Sequence, residues 1–280
     1  MPSEFSICEV TTWSEFTAEL NALSSETWIY RGQSRDWPLA SLLERRLKDW
    51  EIDLGKGAGI ERALLREFRR RYRGIDQDDV RQDKLYAFAL MQHHGAPTRL
   101  LDCTYSRFIA AHNAVKDGIQ IDNGGNPVPH VVWCFRGSWL EKQVKKVVDP
   151  EKVNARNDDK RRNDDSFDEL YLPCKRFVLH DNPLRLNERS SIQQGIFLCP
   201  ASIETSFHSN LEEMDGVNCK DNMRVLKLKL NRQERIQFIE QLRRMNISSA
   251  ALFPGLDGFC RSLGEHLVHF FDLAERGAGR

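Results

Sequence analysis

Apolar positions recur along this chain with two periods, and the switches between them lay out its elements. Thr12-Trp13-Ser14-Glu15 reads as a capping box, and Phe16, Leu20 and Leu23 follow at helical spacing, which predicts a first helix. Thr27 to Gln33 is rich in β-formers. As a strand it sends Trp28 and Tyr30 to one face and Ile29, Arg31 and Gln33 to the other. Ser41 to Trp50 predicts a short helix, and Gly55, Gly57 and Gly59 mark a turn. Ile60, Leu64, Leu65, Phe68 and Tyr72 then form the stripe of a helix over Ile60 to Arg73. Leu85, Phe88, Ala89 and Met91 predict another over Lys84 to His94, ended by Gly95 at the C′ position with Pro97 just beyond.

In the second half, Thr104 or Ser106 caps a helix through Phe108, Ile109, Ala111 and Val115, and His130 to Arg136 reads as a strand. Lys142 to Leu170 is highly charged, with few large apolar residues after Val148, and reads as a surface insertion. Strands are predicted at Lys175 to His180, Gly195 to Cys199, Arg224 to Leu230 and Ser248 to Phe253. Asn231 to Glu234 opens a helix between the last two, and Pro254 to Gly258 turns the chain into a final helix from Phe259 to Leu273. Helices and strands mix without regular βαβ alternation. The expected fold is therefore α+β: a helical lead-in over residues 1–26, then a single domain over 27–273 with a mixed or largely antiparallel sheet flanked by helices.

Composition narrows the classes. Lys plus Arg and Asp plus Glu both number 41, so nothing global draws the chain of 280 residues to nucleic acid or membrane. No apolar run is long enough for a spanning helix, and the first residues lack the order of a signal peptide. The seven cysteines are dispersed without a CxxC pair, which argues against a zinc cage and fits free thiols in a cytoplasmic protein. There is no GxGxxG after a strand, no GxxxxGK[ST], no HExxH and no GxSxG. One local exception to neutrality is the Ile60–Arg73 helix, whose six arginines face only Glu61 and Glu67. Such a patch either meets phosphates or is a solvated face, and the acidic segment 75–83 after it can offset the charge.

The densest chemistry lies at Gln92 to Asp102, QHHGAPTRLLD. His93 and His94 end a helix and point to different faces, and Thr98, Arg99 and Asp102 follow a forced turn. A structural turn needs Gly95 or Pro97 but not this set of hydrogen-bonding side chains. Asp102 is read either as a site carboxylate or as the mate of Arg99. Arg31 and Gln33 stand on one strand face, with Gly32 between them admitting a ligand or another backbone.

These residues carry a resemblance. Trp-Ile-Tyr-Arg-Gly-Gln at 28–33, the 92–102 motif, Gln-Gln-Gly-Ile-Phe at 193–197 and Leu-Phe-Pro-Gly-Leu-Asp-Gly at 252–258 resemble, in this order, the FRG domain of bacterial and phage proteins. The resemblance spans about Thr27 to Leu267. It implies a domain found at times near defence or mobile elements, and its motif order is more distantly similar to the ADP-ribosyltransferases. That similarity implies NAD as substrate, with no metal, in an ADP-ribosyltransferase or NAD glycohydrolase of defence or toxin biology. Tyr30, Arg31, Gly32, Gln33, Thr98, Arg99, Gln194 and Gly195 would hold the nucleotide, and Arg31, His93, His94, Asp102 and Asp257 would act on it. The chain has no Ser-Thr-Ser strand, and Glu188, Asp257 and Glu265 are its late carboxylate candidates. Two other functions fit the same residues: a nucleotide or phosphorylated-metabolite sensor without turnover, and a protein acting on nucleic acid. A protein or a nucleic acid is the expected acceptor or partner, and a membrane is not.

Overall fold

In the computed structural model, residues 5–277 are described except 119, 123, 126, 159, 160, 172, 173 and 184–187. The strands are β1 (Ile7–Val10), β2 (Trp28–Gln33), β3 (Leu101–Thr104), β4 (Gln120–Ile121), β5 (Pro127–Val128), β6 (His130–Arg136), β7 (Val178–Asp181), β8 (Gly195–Pro200) and β9 (Met223–Leu228). Seven form one sheet in the order β1-β9-β6-β2-β3-β8-β7, and β4 and β5 pair separately. Only β1 runs parallel to its neighbour, β9; the other pairs in the sheet are antiparallel. The fold is thus the α+β type expected, with helices on both faces.

Alternation along the strands separates two cores. Trp28, Tyr30, Val132, Cys134, Leu226 and Leu228 face the helices Trp13–Asn21, Arg107–Val115 and Arg232–Arg244. Ile29, Val131, Trp133, Phe135 and Val225 face the other way, onto a larger cluster that includes Leu65, Phe88, Met91 and Trp139. β6 is buried along nearly its whole length, as a central strand of unbroken apolar residues should be.

Local signals account for most helix ends. Thr12 and Glu15 form the capping box, Ser41 caps Leu42–Asp49, Ser106 caps Arg107–Val115 and Asn231 caps Arg232–Arg244. Gly95 takes φ 83° after the Lys84–His93 helix.

Three expectations are corrected. Ser248–Phe253 is not a strand: Ser248 accepts from the Ala251 amide and caps a short helix, Ser249–Leu252. The run Ser-Ala-Ala-Leu is short and apolar, a pattern for which periodicity does not separate strand from helix. The lead-in is not helical alone, since β1 extends the main sheet. The charged segment 142–170 is not confined to the surface, because Val144, Val148, Val153, Phe167 and Leu170 all join the large core cluster. Most of its charges sit outward on short helices anchored by these few apolar residues, while Arg156 is buried against Glu141 and Arg162 pairs with Asp181.

Two elements pack backbone to backbone at β2. A Cβ on Gly32 would fall 1.9 Å from the Ala110 carbonyl oxygen and 2.7 Å from the Ala114 amide nitrogen. The glycine is therefore there for another backbone, the Arg107–Val115 helix. Gly32→Ala should destabilise the protein by about 3 kcal/mol, the upper end of overpacking. Gly59→Ala, a helical site with open space around it, should be neutral or stabilising. Urea unfolding of the two variants checks the contrast.

Candidate functional site

Strand β2 is paired along its whole length with β6, from Trp28↔Arg136 to Gln33↔Val131, but meets β3 only at Tyr30↔Thr104. Beyond that pair the two strands part. Arg31 reaches across the opening, and its Nη1 donates to the Asp102 carbonyl that the missing ladder leaves free. Its Nε is buried without a partner.

A cavity of about 670 Å³ occupies the split. Arg31, Gln33 and Asp102 from the parted strands line it, with Arg45 and Lys48 from Leu42–Asp49 and Lys116 just past Arg107–Val115. Arg189 from Glu188–Ile192 completes the cationic set. Lys48 is paired with Glu44 at 2.8 Å. Arg31, Arg45, Lys116 and Arg189 have no ion pair among the described residues. Burial, then the charge of Arg31, depresses the pKa of Arg45, and burial also lowers that of Arg189. Both respond in the opposite sense to Asp102, whose exposed carboxylate makes no hydrogen bond or ion pair among the described residues. The arrangement suits an anionic ligand, held by planar guanidinium donors beside one unengaged carboxylate. Trp37, 53% exposed, adds an aromatic face to the lining.

A second cavity of about 450 Å³ shares Arg189 and Phe253 with the first and is lined also by His93, Glu188, Asp257 and Arg261. The buried Phe253 ring receives the guanidinium of Arg189 at 4.6 Å, Lys116 Nζ at 5.1 Å and the guanidinium of Arg261 at 5.2 Å. Burial, the neighbouring His94 and Arg189 lower the pKa of His93.

The four sequence motifs therefore converge: Arg31, Asp102, Gln193 and Phe253 line one cavity. Gln193 knits them, since its carbonyl accepts from Thr104 Oγ1 at 2.7 Å and its Nε2 donates to the Leu252 carbonyl at 3.0 Å. Gly258, in the last motif, is where a Cβ would fall 1.8 Å from the Phe253 carbonyl oxygen.

Tyr30, Gly32 and Gln33 line the cavity too, but Tyr30 is buried and burial raises the pKa of its phenol. Gln33 Nε2 donates to the Trp37 carbonyl at 3.1 Å. His93 and Asp257 belong to the second cavity, and His94 lines neither. Arg99 is corrected as the mate of Asp102: it lines neither cavity and pairs with Glu61 instead. It is buried, its Nε donates to Glu61 at 2.8 Å, and that carboxylate holds its pKa up against burial. Thr98 is corrected likewise, being fully buried, bonded to Gln92 and accepting from the Leu100 amide. Gln194 takes a left-handed turn at φ 47° and is exposed, so its neighbour Gln193 enters the site instead; Gly195 opens β8 opposite Thr104.

Arg45, Lys48, Lys116, Arg189 and Trp37 were not singled out from sequence. Trp37, an aromatic shortly after the Arg-Gly-Gln strand, carried the one usable signal.

Glu265, the third late carboxylate, lines neither cavity. Burial alone would raise its pKa, but hydrogen bonds with His112 Nε2 at 2.9 Å and with Ser249 bring it below the ordinary value. A depressed carboxylate stabilises the fold above its unfolded pKa and loses that contribution as pH falls through the folded one. Glu265→Gln should therefore be less stable at neutral pH and show a flatter loss of melting temperature below about pH 4.3. Glu61→Gln, which strands Arg99, should destabilise by about 3–5 kcal/mol. Arg31→Gln should be nearly neutral in the same denaturant titration.

Among the described residues no helix is long and apolar enough to cross a membrane, and no three His, Cys, Asp or Glu side chains group as metal ligands. Residues 26–123 match the family model of the FRG domain, a span that holds Arg31 and the 92–102 motif. Arg189, Gln193 and Phe253 lie beyond it. No curated protein and no solved structure matches the chain.

Proposed function

We propose, from the FRG-domain match over residues 26–123, that the main cavity binds NAD and that Asp102 assists cleavage of the nicotinamide–ribose bond. The observation that carries this reading is the unengaged Asp102 carboxylate among Arg31, Arg45, Lys116 and Arg189, which have no ion pair among the described residues, at the point where four separate motifs meet.

The chemistry follows from the charges. Arg31, Arg45 and Arg189 meet the diphosphate, and Trp37 offers its face to a base. As the C1′–N bond breaks, its electron pair leaves with neutral nicotinamide and the ribose becomes an oxocarbenium-like cation. Asp102 stabilises that cation. Water or an acceptor hydroxyl then adds to C1′ and gives up its proton, leaving ADP-ribose or an ADP-ribosylated product. The adjoining cavity, with His93 and Asp257, is where an acceptor would lie and a proton could be taken. Depletion of NAD is a chemistry that suits a defence or toxin protein.

One observation favours a second reading, a sensor that binds a nucleotide without turnover. The late carboxylates Glu188 and Asp257 line the second cavity and not the first, and Glu265 is spent on His112 and Ser249.

Chromatography of nicotinamide after incubation with NAD tests both. Wild type should release it, and Asp102→Asn should be slower by about 10²–10³-fold, the usual loss for one aligned electrostatic group. Asp102→Asn should still gain thermal stability on adding NAD, whereas Arg31→Ala should lose that shift. A thermal shift with no nicotinamide from wild type would establish the sensor. Neither response would end the NAD assignment.

A further inference from the structure

We infer that the Gly57–Arg71 helix carries a docking groove for the phosphate backbone of duplex DNA, separate from the cavity at the sheet. A groove of about 490 Å³ runs beside it, lined by Arg62, Arg66, Arg69, Arg70 and Arg73. Arg81 and Lys84, from the next two helices, close its other side; Leu65 is the one remaining lining residue, and none is acidic. It shares no residue with either cavity of the candidate site.

Two of the four acids in the segment 75–83 that could offset this charge are committed elsewhere. Asp76 accepts from both Tyr72 and Tyr86 hydroxyls. Asp83 is buried, capping the Lys84–His93 helix through the Leu85 amide at 2.8 Å and pairing with Arg162 at 3.4 Å. Two of the cations are fixed from behind: Arg69 grips Asp164 with two hydrogen bonds of 2.7 and 2.8 Å, and Lys84 pairs with Asp168. Arg62, Arg66 and Arg81 are exposed and make no hydrogen bond or ion pair among the described residues. The groove therefore has both a braced base and free donors.

Its chemistry selects the partner. Arg62 to Arg70 extends about 12 Å along the helix at 1.5 Å per residue, with Arg73 just past its end, a rail for several phosphates in succession. Single-strand binders add aromatic platforms for the bases, and no aromatic residue lines this groove. Recognition of duplex RNA draws on the 2′-hydroxyl as both donor and acceptor; Lys and Arg can only donate to it, so the groove has no acceptor that would favour RNA over DNA. What remains is contact with a DNA backbone that is indifferent to sequence.

Fluorescence anisotropy of a short labelled DNA duplex, without NAD, tests this across a salt series. Wild type should bind, with log affinity falling linearly in log salt. Arg62→Gln/Arg66→Gln/Arg81→Gln should bind at least about tenfold more weakly, with a slope shallower by about 3, one for each lost phosphate contact. The matching triple Lys variant should keep the wild-type slope, which separates lost charge from lost fold. No wild-type binding at low salt, or an unchanged slope in the Gln variant, would overturn the proposal. So would tighter binding of an RNA duplex of the same sequence, or equal competition by an acidic peptide.

Discussion

The structure depends on how β2 is held. Its Gly32 backbone lies so close to Ala110 and Ala114 that no side chain fits between them, and its full length is laddered to β6. Those two contacts fix the strand without help from β3. The sheet can therefore open between β2 and β3 after a single pair, and the backbone groups exposed there must find other partners. Arg31 supplies one by crossing to the Asp102 carbonyl. The Tyr-Arg-Gly motif thus joins two requirements in consecutive residues: the glycine sets the strand against its helix, and the arginine furnishes the gap that results.

This division explains what was legible in the sequence. Arg31 and Asp102 could be picked out because each sits in a dense motif, and both line the cavity. The same motif misled at Thr98 and Arg99, which precede β3 and turn into the core. The partner of Arg99, Glu61, lies on a helix 38 residues away, and nothing in the local pattern of either residue announces the pair. Arg45, Lys116 and Arg189 were hidden for a related reason. Each is a lone cation at ordinary helical spacing, and only the folding of separate helices around one opening gives it a role.

Fold class was legible because long periodic stretches dominate it, and Lys84–His93 and His130–Arg136 appear almost residue for residue. Short apolar runs were not. Ser249–Leu252 is helical because Ser248 caps it and because Glu265, from the final helix, holds Ser249. Such a tertiary tie leaves no trace in periodicity. Residues 142–170 show the converse, a charged composition concealing an apolar minority that reaches the core.

Net charge was the least informative quantity of all. With 41 basic and 41 acidic residues the chain is neutral, yet the cavity and the arginine groove are both strongly cationic. Part of the balance is kept by acids committed elsewhere: Asp76 to the Tyr72 and Tyr86 hydroxyls, Asp83 and Asp181 together to the single Arg162, and Glu265 to His112 and Ser249. These acids stabilise the fold and leave arginines uncompensated at two separate surfaces. The two differ in how they respond to solvent. Free cations on the open groove are screened within about 8 Å at physiological salt, so contacts there are broad and salt-dependent. The part-buried guanidiniums of Arg31 and Arg189 are screened less, and a ligand bound between them feels a field that the protein's overall neutrality does not reveal.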